Sequence, residues 1–316
     1  LNYTEGKGHP KAGQTFLSDL YQEQAGREEN MVIDFHVHIF SQSVREDRAK
    51  YFPDEPAFRM LYDYPKSRIV GAEDTVRMMD QEGVDKSVVF GFPWKNPEIF
   101  KRENDYILDA AARYPDRLIG FCCFDAMNPA AASEAERCLE AGLSGVGELA
   151  FYESGIDEAV QEALDPVMAV CREKDAPILI HTNEPVGHLY PGKSPNTLAQ
   201  IYALIKRYGA NKIVLAHWGG GIFFYRLLKK EVKETLQNVW YDTAASPFLY
   251  GMEIYQTARH LGCLDRVLFG TDYPLIRPVR YFREIENAML SKEEAARVMG
   301  LNARDLLMDN NSRGKG

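Results

Sequence analysis

Eight short apolar runs alternate with longer stretches whose apolar residues recur three and four positions apart, and the alternation continues almost to the end of the chain. A brief run rich in Val, Ile, Leu and Phe reads as a strand covered on both faces; the 3.6-residue period between runs reads as a helix lying against it. The expected strands are 31–35, 86–91, 118–124, 144–150, 177–182, 212–217, 239–242 and 266–271. The expected helices are about 72–82, 97–113, 130–141, 158–174, 196–208, 223–236, 252–261 and 279–289. Eight strand-helix units in unbroken order predict an α/β fold, a (β/α)8 TIM barrel, in which the C-terminal ends of all strands meet on one face.

Two interruptions shape the domain plan. Between the first strand and the first helix lies 39–71, which carries Tyr51, Phe52, Phe58, Tyr62 and Tyr64 and is too long for an ordinary connection. It follows a strand, so it overhangs the C-terminal face and is expected to be a lid or one wall of the substrate site. Two more helices, about 292–299 and 302–308, are expected to cap the barrel, the first opened by the capping box Ser291-Lys-Glu-Glu294. Residues 1–30 are rich in Gly, Gln, Glu and Lys and lack the apolar centre of a signal peptide, so they read as a polar leader, disordered or accessory. A single catalytic domain is then expected over 31–308, with 309–316 as a polar tail.

The candidate chemistry sits where the strands end. The first run leads into His36-Val37-His38, two imidazoles at alternate positions that face one side of a strand. Glu148 ends Gly145-Val-Gly-Glu148, His181 ends Pro177-Ile-Leu-Ile-His181, His217 ends Lys212-Ile-Val-Leu-Ala-His217, and Asp272 ends Val267-Leu-Phe-Gly-Thr-Asp272. From His36 onward the intervals are 112, 33, 36 and 55 residues. A strand, a helix and their loops take about 30 residues, which puts these side chains on strands 1, 4, 5, 6 and 8. A barrel gathers them into one pocket.

Imidazole and carboxylate form the ligand set of catalytic divalent metals, which leave one coordination position open. His36, His38, Glu148, His181, His217 and Asp272 are therefore expected to bind one or two ions, zinc first, although the same mixed set admits Mn2+ or Fe2+. Such an ion acidifies a water and polarises a substrate oxygen, so a base is needed beside it. Asp272 is placed to take the proton from the water and return it to the leaving group. His217 is placed to bind a second metal or to act as an acid or base.

Composition narrows the partners. The formal net charge of −9 argues against a nucleic-acid partner, and no stretch approaches the ~18 apolar residues of a membrane span. The five cysteines, Cys122, Cys123, Cys138, Cys171 and Cys263, form no C-x2-C pair, so neither a disulfide framework nor a zinc ribbon is suggested. They read as small core residues in a reducing cytoplasm. The expected partner is a small molecule, with homo-oligomer formation left open.

Together, His36-x-His38, His181 after a strand, Ala216-His217-Trp-Gly-Gly220 and Phe269-Gly-Thr-Asp272-Tyr-Pro274 resemble the amidohydrolase superfamily. Within it they are similar to the amidohydrolase-related ("amidohydrolase 2") family that includes aminocarboxymuconate-semialdehyde decarboxylase. Met299-Gly-Leu-Asn302-Ala-Arg304 resembles that family's closing segment, so the likeness runs from about Met31 to about Leu307. It implies a distorted barrel, with metal held by His36, His38, His181 and Asp272 and with His217 in catalysis.

Glu148 sets the expected reaction. Decarboxylases of this family do not need a strand-4 Glu as a ligand, whereas the Gly-Glu here resembles TatD-type hydrolases, in which that Glu holds two metals. The leading expectation is a metal-dependent hydrolase of a small amide, lactone or related C–N or C–O bond. The alternative on the same scaffold is a lyase, a non-oxidative decarboxylase or hydratase of an unsaturated or aromatic acid. A non-catalytic binding protein would be expected to have lost a ligand, and none is missing.

Substrate contacts are expected from the loops. Trp94 offers a ring to stack on a planar group, and His188 lies in the strand-5 loop over the pocket. Arg277, with Arg280, follows Asp272 closely; a guanidinium grips a carboxylate bidentately, so an acidic substrate is expected. Gly219-Gly-Gly221 reads as close backbone packing in preference to an anion site. Asp34 reads as structural, and His9 and His260 as solvent-facing.

Overall fold

The computed structural model describes residues 31–308, so the expected leader with His9 and the expected tail lie outside the described residues. Eight parallel strands pair in sequence order: β1 (Ile33–His38), β2 (Lys86–Phe90), β3 (Leu118–Cys122), β4 (Gly145–Leu149), β5 (Ile178–Ile180), β6 (Ile213–Leu215), β7 (Val239–Asp242) and β8 (Val267–Leu268). Beyond β8 the chain runs on beside β1. There Phe35 N–H donates to Phe269 O (2.7 Å), Asp272 N–H to His36 O (2.9 Å) and His38 N–H to Tyr273 O (2.8 Å). These bonds draw the first and last strands together into the nearly closed (β/α)8 barrel that the alternation predicts.

The helices are α1 (Gln42–Glu46) and α2 (Pro56–Tyr62) in the 39–71 insertion, then α3 (Ala72–Glu82), α4 (Pro97–Arg113), α5 (Ala131–Glu140), α6 (Glu158–Glu173), α7 (Leu198–Arg207), α8 (Lys230–Thr235), α9 (Ser246–Leu249), α10 (Glu253–His260), α11 (Pro278–Asn287), α12 (Lys292–Ala296) and α13 (Asn302–Met308). The core has two layers. Ile33, Phe35, Val88, Phe90 and Phe121 fill the barrel, where Ala303 and Leu306 of α13 join them. A larger cluster that includes Val37, Val89, Phe100 and Leu164 lies in the second layer, with the helices.

Strands β5, β6 and β8 are shorter than their apolar runs, because the last residues of each run leave the ladder to turn side chains into the pocket. The largest departure from expectation is 223–236. His217, Trp218 and the three glycines after them all have left-handed backbone (φ 55 to 86°), a 3-10 turn continues to Leu227, and only α8 is α-helical. Glycine tolerates that backbone, and at Gly220 a Cβ would collide with the carbonyl of Asn183, so this run packs the β6 loop against the β5 loop.

The insertion is fastened along its length. Val44 and Phe58 are fully buried, and Phe58 packs on Trp94 with ring centroids 4.4 Å apart. The buried carboxylate of Glu55 accepts from Lys95 N–H and Asn96 N–H (both 3.0 Å), and Glu103 accepts from Ser41 N–H (3.1 Å) and Ser41 Oγ–H (2.8 Å). That makes the segment a fixed wall.

Candidate metal centre

Four imidazoles reach the C-terminal face of the barrel, each tied on its outer side. His38 Nδ1 lies 3.0 Å from Gly91 O, His181 Nε2 3.0 Å from Gly192 O, and His217 Nδ1 2.9 Å from Ala244 O. A carbonyl can only accept, so each of these ring nitrogens carries the hydrogen and its partner nitrogen keeps a lone pair. His36 Nδ1 makes the equivalent bond to the Asp242 carboxylate at 2.8 Å. All four remaining nitrogens point inward.

Two carboxylates meet them. Glu148 Oε2 is 3.6 Å from His36 Nε2 and 3.7 Å from His38 Nε2, while its Oε1 is 3.0 Å from His181 Nδ1 and 3.6 Å from His217 Nε2. Asp272 Oδ1 is 3.4 Å from His38 Nε2 and 3.9 Å from His36 Nε2. Ligand atoms of His36, His38 and Asp272 lie within 4.8 Å of one another, as do those of His36, Glu148 and His217. Every residue singled out at a strand end is therefore present in one cluster, and Glu148 stands at its centre.

The electrostatics call for positive charge. Burial pushes Glu148 up, but His36 and His181 more than offset this and hold its carboxyl well below the usual carboxylate range. Burial likewise raises Asp272, yet His38, His36 and His217 bring it down to about 2. The mirror effect appears on the imidazoles: burial lowers His217, while Glu148 and Asp272 raise it to about 9. Burial also lowers His36, and Asp242 and Glu148 drive it well above its ordinary value. Ionised carboxylates facing inward lone pairs need a proton or a cation between them, and neutral imidazole with carboxylate is a divalent-metal donor set. The residues fit the ion.

Asp242 was not among the residues singled out above. Its Oδ2 takes the His36 hydrogen, and its Oδ1 accepts from the backbone N–H groups of His217 (2.9 Å) and Ala244 (3.0 Å), so one carboxylate orients the His36 imidazole and fixes the main chain that carries His217. The signal was available, since Asp242 ends the seventh strand as the ligands end theirs. Asp34 is structural as expected: it accepts from Thr271 Oγ–H (2.6 Å), Thr271 N–H (3.0 Å) and His36 N–H (3.2 Å), which ties β1 to the chain beyond β8. Tyr152 was also missed, and Tyr62 was named only as one aromatic of the insertion. Burial, then Asp272 and Glu148 for Tyr62, and burial, then Glu148, for Tyr152, push both phenols up.

Two of the three expected substrate contacts, Trp94 and Arg277, are turned away from the cluster. Trp94 is fully buried among Phe58, Phe92 and Tyr51, so no ring face is open to a ligand; it packs the insertion onto β2. Arg277 is committed to Glu82 and Gln81 of α3 on the outer surface, which removes it from the pocket. His188 is exposed on the β5 loop beside Tyr190. All five cysteines are buried thiols, and among the described residues no helix is long and apolar enough to cross a membrane.

A family model described as amidohydrolase matches residues 33–308. The gamma-resorcylate decarboxylase of Polaromonas sp. strain JS666 is 23% identical over 330 residues, covering 88% of this chain and 98% of that protein. The crystal structure of 5-carboxyvanillate decarboxylase from Sphingomonas paucimobilis superposes with a TM-score of 0.68 at 18% identity, covering 88% of this chain and 99% of the other. The 5-carboxyvanillate decarboxylase of Novosphingobium aromaticivorans, complexed with manganese and 4-hydroxy-3-methoxy-5-nitrobenzoic acid, gives 0.71 at 18% identity over 89% and 97%. These relatives overturn the hydrolase expectation, because each is a decarboxylase. That expectation had rested on Glu148, whose two oxygens face all four imidazoles of the cluster, an arrangement that does not by itself distinguish hydrolysis from decarboxylation.

Proposed function

The chain belongs to the amidohydrolase family, and from that membership we propose that it is a metal-dependent, non-oxidative decarboxylase of a small aromatic carboxylic acid. The observation that carries the reading is the donor set: four imidazoles tied from outside, their lone pairs turned inward beside two ionised carboxylates. Similarity to decarboxylases of gamma-resorcylate and 5-carboxyvanillate selects the reaction.

The inward nitrogens of His36, His38 and His181, with Asp272 and Glu148, would hold one divalent cation. Manganese is the first ion to test, since the Novosphingobium relative contains it, and zinc is the competitor because a mixed nitrogen and oxygen set accepts both. When bound, the ion supplies Lewis acidity toward a substrate oxygen and an anchor for the acid. The proton transfers fall to the chain. A proton bonds to the ring carbon that carries the carboxylate, and the electron pair of the C–C bond returns to the ring as carbon dioxide leaves. Net, a proton replaces carbon dioxide and no redox partner is needed.

Ionised at rest, Asp272 would relay that proton, taking it from an acidic ring hydroxyl and passing it to the ring carbon, and its side chain is the more open of the two carboxylates, 18% exposed against 7% for Glu148. His217, its Nδ1–H fixed on Ala244 O, keeps Nε2 turned to the same space and serves a ring hydroxyl as acid or base. Release of carbon dioxide from gamma-resorcylate and 5-carboxyvanillate, measured after reconstitution with Mn2+ or Zn2+, tests the reading. Turnover that chelation abolishes and the ion restores is expected. No release from either acid, or from a panel of hydroxylated benzoic acids, overturns it.

A further inference from the structure

Two tyrosines from distant parts of the chain lie near enough to the cluster to feel its carboxylates, Tyr62 those of Asp272 and Glu148 and Tyr152 that of Glu148. Tyr62 closes α2 in the insertion, and its ring is held by Phe58, Phe40 and Phe92 with centroids 4.8, 5.4 and 6.3 Å away. Tyr152 follows β4, four residues after Glu148, and its ring lies 5.6 Å from that of His181. Both rings are fixed by packing, yet neither hydroxyl has a hydrogen-bond partner among the described residues, and neither is closed off from solvent. A phenol left free at the edge of a polar pocket is a donor awaiting an acceptor. Tyrosine titrates near 10, so at neutral pH both carry their protons.

The wall that bears Tyr62 is built in advance. Glu55 locks the start of α2 onto the backbone of Lys95 and Asn96, and Glu103 locks Ser41. Tyr152 is placed through β4, the strand that also presents Glu148. Neither donor has to be brought in by a closing segment, and a preorganised pair loses little freedom on binding.

We propose that Tyr62 and Tyr152 form a two-donor clasp that binds an oxygen substituent on the aromatic ring of the substrate, turning the ring so that its carboxylate meets the metal cluster. The inference rests on the decarboxylase reading and adds to it the residues that select ring-oxygenated acids. The two tyrosines are positioning residues: they hold an oxygen that does not react, so their loss shows in binding.

Tyr62→Phe and Tyr152→Phe retain each ring and its packing. On the manganese-loaded protein, each is expected to raise KM for gamma-resorcylate and 5-carboxyvanillate about 10-fold, the scale of one donor hydrogen bond to a polar or charged oxygen, with a smaller change in kcat. Calorimetric dissociation constants give the second readout: the variants weaken binding of the oxygenated acids by the same factor and leave benzoate, which has no ring oxygen, as in wild type. Unchanged binding of the oxygenated acids in both variants overturns the clasp while leaving the decarboxylase reading in place. Equal weakening toward benzoate also overturns it, because the hydroxyls would then be acting on the pocket's shape. A wild-type protein that decarboxylates none of these acids removes both proposals.

Discussion

Asp242 does for His36 what backbone carbonyls do for the other three imidazoles, but it does so with a full charge. A carboxylate on Nδ1–H makes Nε2 a stronger ligand, and loss of such a partner typically weakens metal binding ~10–100-fold. Asp242→Asn keeps the shape and removes the charge, so it is expected to lower metal affinity by that order, as read by competition with a chromophoric chelator. An affinity equal to wild type would reduce Asp242 to a backbone anchor for the β7 loop. Asp272→Asn is expected to leave the fold intact and to cut turnover by ~10²–10⁴-fold, the range for loss of a proton-transfer group. Near-normal carbon dioxide release would move the proton elsewhere. At this scale the cluster was legible because strand ends converge in a barrel, so spacing alone placed His36, His38, Glu148, His181, His217 and Asp272. Depth was not legible. Trp94 and Arg277 both follow strands, yet one is enclosed and the other is drawn away by Glu82, and neither outcome is written in local sequence.

Elements were readable in proportion to the periodicity they carry. The bounds of α3, α4 and β7 coincide with those expected, whereas the stretch after β6 was misread because apolar spacing at 223–236 says nothing of the left-handed glycines before it. The insertion had no period to read, and its three short helical turns are set by tertiary anchors. Phe58 is the centre of that packing, so Phe58→Ala is expected to destabilise the protein by about 3–5 kcal/mol, as for other buried aromatics, in urea unfolding followed by circular dichroism. A loss under 1 kcal/mol would mean that the wall packs independently of it. Between α4 and α5, Glu134 accepts from Arg137 Nε (2.8 Å), Arg137 Nη2 (2.7 Å) and Asn104 Nδ2 (2.9 Å). Burial pushes this carboxyl up, but Arg137 and Asn104 more than offset it, and it stands below its ordinary value. A lowered folded-state pKa adds stability above the unfolded value of about 4.5 that is lost as pH falls below it. Glu134→Gln is therefore expected to flatten the acid limb of a stability profile between about pH 5 and 3, and an unchanged slope there would assign that limb to other carboxylates.

For the whole molecule, the barrel explains why six candidate ligands scattered over more than two hundred residues meet, but it does not choose the reaction. Imidazoles and carboxylates around an ion serve hydrolysis and decarboxylation alike, and the proposal of the second rests on similarity to relatives that are decarboxylases. What the barrel does fix is a linkage between the ion and the fold, because the inward-facing groups come from β1, β4, β5, β6 and the chain beyond β8. An ion that binds only the folded chain stabilises it by about 2.7 kcal/mol at one hundred times its dissociation constant, which for a domain of this size moves Tm by about 5 °C. Chelation is thus expected to lower Tm by that much, and the loss should depend on pH. In the stripped protein, protons on the imidazoles stand in for the ion. Burial lowers His217, but Glu148 and Asp272 lift it from 6.5 to about 9. A raised folded-state value gives stability that is complete below pH 6.5 and drains away as pH rises toward about 9. In the loaded protein the ion replaces the proton and no such decline over that window should appear. Thermal scans of stripped and manganese-loaded protein across pH 6 to 9 compare the two directly. Parallel curves, with the ion adding nothing at either end, would show that the inward-facing cluster is held together by protons alone.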